Sequence, residues 1–210
     1  MRLETTVRDL LAATWHVPVE TVSRALPPGP RPALAEDGRA LVSLVALRNT
    51  DVRAGRWRAP SFAQLGVRTY VTLGAEPALF LLSVRVTPAG LGGAFFGMPL
   101  RPVRIRVRRG EALARGAGVR LRYRTIGQAR SVPAAGGTPL GVHATALLVS
   151  AGLRRLVSSH EPCSWEEAEL LEPALAEPVL ALGFDVRQPD SLLYAAETRF
   201  TLELPPERVA

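Results

Sequence analysis

The sequence predicts a mainly β fold, an antiparallel barrel or sandwich with short peripheral helices, formed by a single domain over residues 1–210. Several segments alternate apolar and polar residues with the period of two that is typical of strands, and turn-forming Gly, Pro and Asp residues separate them. Helical patterns are few and short. The length fits one large domain better than two, and a hydrophobic content of 47% is enough for a sizeable core.

The N-terminal segment is predicted to form two helices. A threonine at position 5 or 6 can cap the first, over residues 4–15, in which four residues recur at helical spacing: Val7, Leu10, Leu11 and Thr14. Pro18 suits the first turn of a second helix, from Val19 to Leu26, which ends at a Pro/Gly-rich run.

A set of strands is predicted next. Asp37-Gly38 indicates a hairpin between a weak strand near Ala33 and an almost wholly apolar strand from Ala40 to Leu47. A polar loop over residues 49–60 then leads to a strand over residues 61–73. One face of this strand is apolar, whereas the other carries polar side chains and either meets water or lines a cavity. The second face comprises Phe62, Gln64, Gly66, Arg68, Tyr70 and Thr72.

The following strand is predicted over residues 78–87, with one of its faces formed by Leu79, Leu81, Ser83 and Arg85. Residues 88–96 are expected to form a short helix that ends in a Gly97-Met98-Pro99 turn. Further along the chain, residues 141–151 indicate a short helix, residues 154–160 a strand, residues 173–183 a loop with one helical turn, and residues 192–204 a long extended segment.

Two strands, over residues 103–108 and 119–125, alternate arginine with aliphatic residues. The aliphatic residues must face the core, so the arginines face outward, and six would share one sheet surface if the strands pair: Arg104, Arg106, Arg108, Arg120, Arg122 and Arg124. Residues 1–160 contain 23 arginines and 8 acidic residues, whereas residues 161–210 contain 3 and 11. Either the basic part binds a polyanion, or the acidic C-terminal part packs beside the basic sheet. We favour the second interpretation.

Composition excludes several kinds of chemistry. The chain has no lysine, so no side chain can form an imine with a carbonyl substrate, and arginine keeps its proton in proteins. The single cysteine, Cys163, is interpreted as a small semi-buried side chain, with a thiol activated by His160 as the alternative. The three histidines lack metal-ligand spacing, and there is no phosphate-binding loop or nucleophile elbow. We therefore expect no catalytic residue, metal or cofactor.

No apolar run reaches the length of a membrane span, and residues 1–6 lack the pattern of a signal peptide, so we expect a cytoplasmic protein. The glutamates that follow Trp165 are interpreted as a solvated acidic patch rather than as an acid/base pair.

Several motifs together resemble the YqjF-like uncharacterised family, a relative of acetoacetate decarboxylase. They extend over nearly the whole chain, and the most specific is Val67-Arg68-Thr69-Tyr70-Val71. The others are residues 11–18 (LAATWHVP), 97–100 (GMPL), 104–109 (RIRVRR), 160–162 (HEP) and 204–208 (LPPER). The resemblance implies the acetoacetate decarboxylase-like fold, a closed, mainly antiparallel β-barrel with an internal cavity and outer helices.

The same resemblance also shows what is missing. The decarboxylases have an imine-forming lysine after Gly-x-Pro, and that position is Leu100 here. The aromatic-x-Glu motif of the decarboxylases reads Phe62-Ala63-Gln64 here. Members of the YqjF-like family often have His before the tryptophan of the first motif and Asn before the Val-Arg-Thr-Tyr motif, and these positions are Thr14 and Gly66 here. Each departure removes a reactive group, so decarboxylation is not carried over.

Three functional hypotheses remain. The leading one is a barrel that binds a small anionic or apolar molecule without imine chemistry; the candidate cavity residues are Gln64, Arg68, Tyr70, Arg85, Met98 and Leu100. An arginine in a closed cavity needs an anionic partner, either a ligand carboxylate or an internal acid such as Glu197. The second hypothesis is an enzyme of another reaction type that uses the same cavity. The third is a polyanion-binding protein that uses the arginine face; nucleic acid is the less favoured partner, because aromatic residues do not interleave with these arginines.

Overall fold

In the computed structural model, which describes residues 1–87, 101–132, 145–149, 152–161 and 163–209, most residues lie in strands. The strands are β1 (Arg2–Val17), β2 (Arg31–Pro32), β3 (Ala40–Ala54), β4 (Trp57–Arg58), β5 (Phe62–Leu73), β6 (Glu76–Val86), β7 (Arg101–Pro102), β8 (Arg106–Arg108), β9 (Glu111–Ala114), β10 (Val119–Val132), β11 (Thr145–Val149), β12 (Leu153–His160), β13 (Cys163–Leu170), β14 (Leu175–Ala176), β15 (Ser191–Glu203) and β16 (Glu207–Arg208). The helices are α1 (Val19–Ala25) and α2 (Glu177–Leu180), and a 3₁₀ turn spans Arg115–Ala117.

Seven strands pair into a closed ring in the order β1–β3–β5–β6–β11–β12–β15 and back to β1. All of these pairings are antiparallel except that of β6 with β11. The ring closes where Ser158 of β12 lies opposite Leu202 of β15. Because a closed ring has no free edge, backbone groups on both sides of each strand find partners. The predicted mainly β fold is confirmed.

A second sheet extends from the ring because β15 has two partners on one side. Its C-terminal half pairs with β12, whereas its N-terminal half pairs with β13, where Glu166 lies opposite Tyr194. The sheet then continues from β13 through β10 and β9 to β8. It covers the outer face of β1, β3 and β5, and the core between the two layers includes Trp15, Leu44, Val67, Leu121 and Tyr123. The inner face of the ring has a separate core.

The predicted first helix over residues 4–15 is wrong, because this segment is the long strand β1. Both faces of β1 are buried: Leu11 packs in the core between the layers, and Leu10 and Ala12 pack inside the ring. Asp9 has a positive φ of 52°, and the register with β3 shifts between Arg8 and Leu11. This bulge interrupts the alternation of the strand, so its apolar residues imitate helical spacing.

Most other elements follow the expectation. Helix α1 and strands β5, β6, β12 and β15 match the predicted segments, and residues 173–183 contain the single turn α2. The prediction of a polar loop over residues 49–60 is wrong, because β3 continues to Ala54. The prediction of a helix over residues 141–151 is wrong for the described part of that segment, because residues 145–149 form β11. The predicted helix over residues 88–96 and the Gly97-Met98-Pro99 turn lie outside the described residues.

The two arginine-bearing strands do not pair, because β9 lies between β8 and β10. Their apolar faces point to the core as expected: Val107, Val119, Leu121 and Tyr123 are buried, whereas Val103 and Ile105 are half-buried. Ion pairs join the acidic C-terminal part to the basic sheet: Arg120 to Glu172 at 3.0 Å, Arg124 to Glu169 and Arg109 to Glu166. The interpretation that the two charged regions pack beside each other is therefore confirmed. None of the helices in the described part of the chain is long and apolar enough to cross a membrane.

Candidate ligand cavity

The inner face of the ring and two residues of β13, Cys163 and Trp165, line a cavity of about 170 Å³ whose wall is mostly apolar. Strand β5 contributes alternate residues to it, from Phe62 through Gln64 and Gly66 to Arg68, whereas Leu65 and Val67 point to the second sheet. The other lining residues are Leu3, Thr5, Val7, Leu10, Val45, Leu47, Asn49, Val52, Leu81, Val84, Val86, Ala146, Leu156, Ser158, Cys163, Trp165, Phe200 and Leu202. The polar face of β5 therefore faces the interior.

Arg68 is the cationic group of this cavity. Its Nε atom is buried and has no hydrogen-bond partner among the described residues. Its guanidinium carbon lies 5.8 Å from the centre of the Tyr70 ring, a cation–π contact. The alternative partner considered from the sequence, Glu197, instead pairs with Arg8 at 3.1 Å, and both of these side chains are about half exposed. An internal acid is thus not what neutralises Arg68.

A cluster of three hydroxyl groups lies on the strands next to Arg68. Ser43 lies directly opposite Arg68 in the pairing of β3 with β5. The Ser43 hydroxyl is 2.8 Å from the Thr14 hydroxyl and 3.0 Å from the Tyr70 hydroxyl, and all three residues are buried. Tyr70 is not among the lining residues, contrary to the expectation; its hydroxyl contacts Ser43 and its ring contacts Arg68. Gly66 is the inward-facing residue of β5 that precedes Arg68 by two positions. Because it has no side chain, the cavity keeps the space that a side chain would fill.

The opposite end of the cavity carries a second set of polar groups, which the sequence did not indicate. Asn49 is 5% exposed, its Oδ1 accepts from the Thr5 hydroxyl at 3.3 Å, and its Nδ2 has no partner within the described part of the chain. Asn49 lies opposite Phe62, six residues along β5 from Arg68, which is about 20 Å at the usual rise of a strand. The two donors without a partner, Arg68 Nε and Asn49 Nδ2, therefore lie at opposite ends of the cavity.

Arg85 does not line the cavity, contrary to the expectation. The register between β5 and β6 shifts between Val67 and Arg68, so that Ser83 lies opposite Val67 but Leu81 lies opposite Arg68. This bulge in β6 puts Val84 and Val86 on the inner face and Arg85 on the outer face, where it donates to the Ala117 carbonyl at 3.3 Å. Met98 and Leu100 lie outside the described residues, so their predicted place in the cavity stays a prediction.

Cys163 and Arg68 are the only ionisable side chains among the described lining residues. Burial raises the pKa of the Cys163 thiol, although hydrogen bonds from Thr198 and Trp165 partly offset this. A raised pKa disfavours the thiolate, which is the nucleophilic form. His160 lies outside the lining and packs its ring on Phe200, with 5.0 Å between ring centres. No group of three or more potential metal ligands occurs in the ranges that the structure describes.

The fold is that of the acetoacetate decarboxylase-like proteins. An acetoacetate decarboxylase-like enzyme from Sphingomonas wittichii RW1 superposes with a TM-score of 0.64 at 16% identity, over 99% of this chain and 92% of that one. The acetoacetate decarboxylase of Legionella pneumophila gives 0.61 at 16% identity, over 100% and 88%. The enduracididine biosynthesis enzyme MppR, in complex with pyruvate, gives 0.63 at 14% identity, over 96% and 88%.

Within this fold, the chain belongs to the DUF2071 family of uncharacterized conserved proteins, which it matches over residues 4–199. The resemblance that the sequence motifs indicated is confirmed. None of the curated proteins matches the chain in sequence.

Proposed function

We propose that this protein binds a small organic carboxylate inside the barrel, with the carboxylate on Arg68 and an apolar body along the cavity wall. The observation that carries the proposal is the missing counter-charge. All 19 Asp and Glu residues of the chain lie in the described ranges, and none of them pairs with Arg68. A guanidinium that faces an apolar cavity is stabilised by an anion that accepts its hydrogen bonds, and a carboxylate matches its fork geometry.

The volume limits the size of the ligand. A cavity of about 150 Å³ lined by apolar side chains holds benzene. The space here, about 170 Å³, therefore suits a ring or short chain with one carboxylate, such as benzoate or hexanoate. The complex of MppR with pyruvate shows that a protein of this fold takes a small carboxylate, which supports the same class of ligand here.

The proposed role is binding rather than decarboxylation. Imine formation needs a side-chain amine, and the chain contains no lysine. General acid–base catalysis needs a titratable group within reach of the substrate, and among the described lining residues only a permanently charged arginine and a buried thiol are ionisable.

Calorimetric titration with benzoate, hexanoate, acetate and benzamide tests this proposal. Benzoate and hexanoate should bind with saturation at a 1:1 ratio. Acetate should bind much more weakly because it leaves the apolar wall uncovered, and benzamide should bind more weakly because it lacks the charge while keeping the shape. Equal affinity for benzoate and benzamide, or the absence of saturable binding by both carboxylates, would contradict the proposal.

A further inference from the structure

A second concave surface lies on the other sheet, at its free edge. Strand β8 ends the strand order, so one side of it has no strand partner among the described residues. The 3₁₀ turn after β9 borders the same concavity. Its lining residues are Val103, Arg104, Ile105, Arg106, Leu113, Arg115 and Gly116, none of which lines the barrel cavity.

Three exposed arginines meet at this concavity. Arg106 of β8 lies opposite Leu113 of β9, and Arg104 and Arg115 continue the two strands beyond this pair. Adjacent like charges on a sheet surface destabilise it. The three positive charges in the concavity therefore repel one another, and a bound anion would offset this repulsion.

Four other arginines of this surface have an acidic partner, whereas Arg122 of β10 has no ion pair in the described structure and lies outside the concavity. Arg108 pairs with Glu111 at 3.2 Å, and Arg120, Arg109 and Arg124 each pair with a glutamate of the acidic C-terminal part. No ion pair involves Arg104, Arg106 or Arg115 in the described structure, and every Asp and Glu of the chain lies within it. The acidic segment thus pairs with three arginines outside the concavity, Arg109, Arg120 and Arg124, and with none of the three within it.

Apolar side chains border the three guanidinium groups. Val103 and Ile105 are half-buried against the core between the layers, and Leu113 lies directly beside Arg106. Guanidinium groups bind phosphate through paired hydrogen bonds, and three of them match the several oxygens and the double negative charge of a phosphate monoester. An apolar substituent on that ester would contact Leu113.

We propose that this concavity is a binding site for a small phosphate monoester that carries an apolar group. The site is separate from the barrel cavity and does not depend on what the barrel binds. Nucleic acid is the less suitable occupant, because the positive corner is confined to three arginines and aromatic side chains are missing from its lining.

Calorimetric titration with phenyl phosphate and with inorganic phosphate, at about 150 mM salt, tests the site. Phenyl phosphate should bind 1:1 and more tightly than inorganic phosphate. Arg106→Gln should weaken phenyl phosphate by roughly tenfold, and the triple variant Arg104→Gln, Arg106→Gln, Arg115→Gln should abolish saturable binding. The three side chains are exposed, so the variants should fold, which a thermal unfolding curve verifies.

Arg124→Gln is the matched control. It removes the same charge from the same sheet, but from a residue that already pairs with Glu169 outside the concavity, so it should bind phenyl phosphate as the wild type does. An equal loss in Arg124→Gln would mean that only net charge matters and would overturn the proposal. So would the absence of saturable binding by the wild type. Duplex DNA that binds tightly at the same salt, and is lost in the triple variant, would replace the phosphate ester with nucleic acid.

Discussion

Replacement of Arg68 by leucine removes the charge that we assign to ligand binding and leaves the shape of the strand unchanged. The side chain has no ion pair in the described structure, so the ligand-free variant should fold as well as the wild type. Charge-assisted hydrogen bonds contribute about 1.5–3 kcal/mol, which corresponds to a loss of roughly 10- to 150-fold in affinity for benzoate.

The loss can be measured by thermal unfolding. At a benzoate concentration of 100 times Kd, the ligand stabilises the wild type by about 2.7 kcal/mol. If Arg68→Leu weakens binding 100-fold, the same concentration stabilises the variant by only about 0.4 kcal/mol. For a chain of 210 residues, these values correspond to Tm increases of roughly 5–11 °C and about 1–2 °C.

Arg85→Leu is the control for this experiment, because Arg85 lies on the neighbouring strand but faces outward. Its own stability can fall, since its hydrogen bond to Ala117 is lost, but the increase in Tm caused by benzoate should equal that of the wild type. A full benzoate effect in Arg68→Leu, or an equal loss in Arg85→Leu, would refute the assignment of Arg68 as the anchor.

Three further predictions concern the space, the chemistry and the pH dependence of the barrel. Gly66→Leu should abolish benzoate binding while Arg68 is intact, because its Cβ has room beside the Ser83 carbonyl at 3.7 Å and the side chain enters the cavity; undiminished calorimetric binding would contradict this. Borohydride treatment in the presence of acetoacetate should give no side-chain adduct by mass spectrometry, because the chain has no lysine; an adduct inside the barrel would contradict it. Burial holds the pKa of His160 below its usual 6.5, and the Glu161 carbonyl partly offsets this, so the unfolded chain binds this proton first as the pH falls. The contribution of neutral His160 to the free energy of unfolding is therefore complete above about pH 6.5 and is lost as the pH falls to the lower pKa of the folded state. His160→Gln should reduce this fall in the free energy of unfolding between pH 7 and 5; an equal fall in the wild type and the variant would contradict the role of His160.

The sequence was most informative where strands have one polar and one apolar face. Strand β5 alternates strictly, so Gln64 and Arg68 could be assigned to one face, and the apolar side could be expected to pack against another layer. The second sheet covers that side, because β15 pairs with β13 as well as with β12. This pairing joins segments far apart in the chain, so no local sequence pattern predicts it.

Bulges explain the main errors. The bulge at Asp9 made β1 resemble a helix, and the bulge between Leu81 and Ser83 moved Arg85 from the inner to the outer face, since a slip of one residue reverses every side chain beyond it. Asn49 was missed for another reason: Arg48 and Asn49 follow an almost wholly apolar run, and polar residues there are equally typical of a loop. Only its burial opposite Phe62 shows that the strand continues.

A crystal structure of the protein grown with benzoate tests the central claim most directly. We predict that the ring lies within the barrel between β5 and Phe200, and that a carboxylate oxygen lies within about 3.2 Å of the Arg68 Nε. Benzoate bound elsewhere, or an Arg68 guanidinium whose hydrogen bonds are all made to the protein while the cavity is filled by its own side chains, would contradict the account.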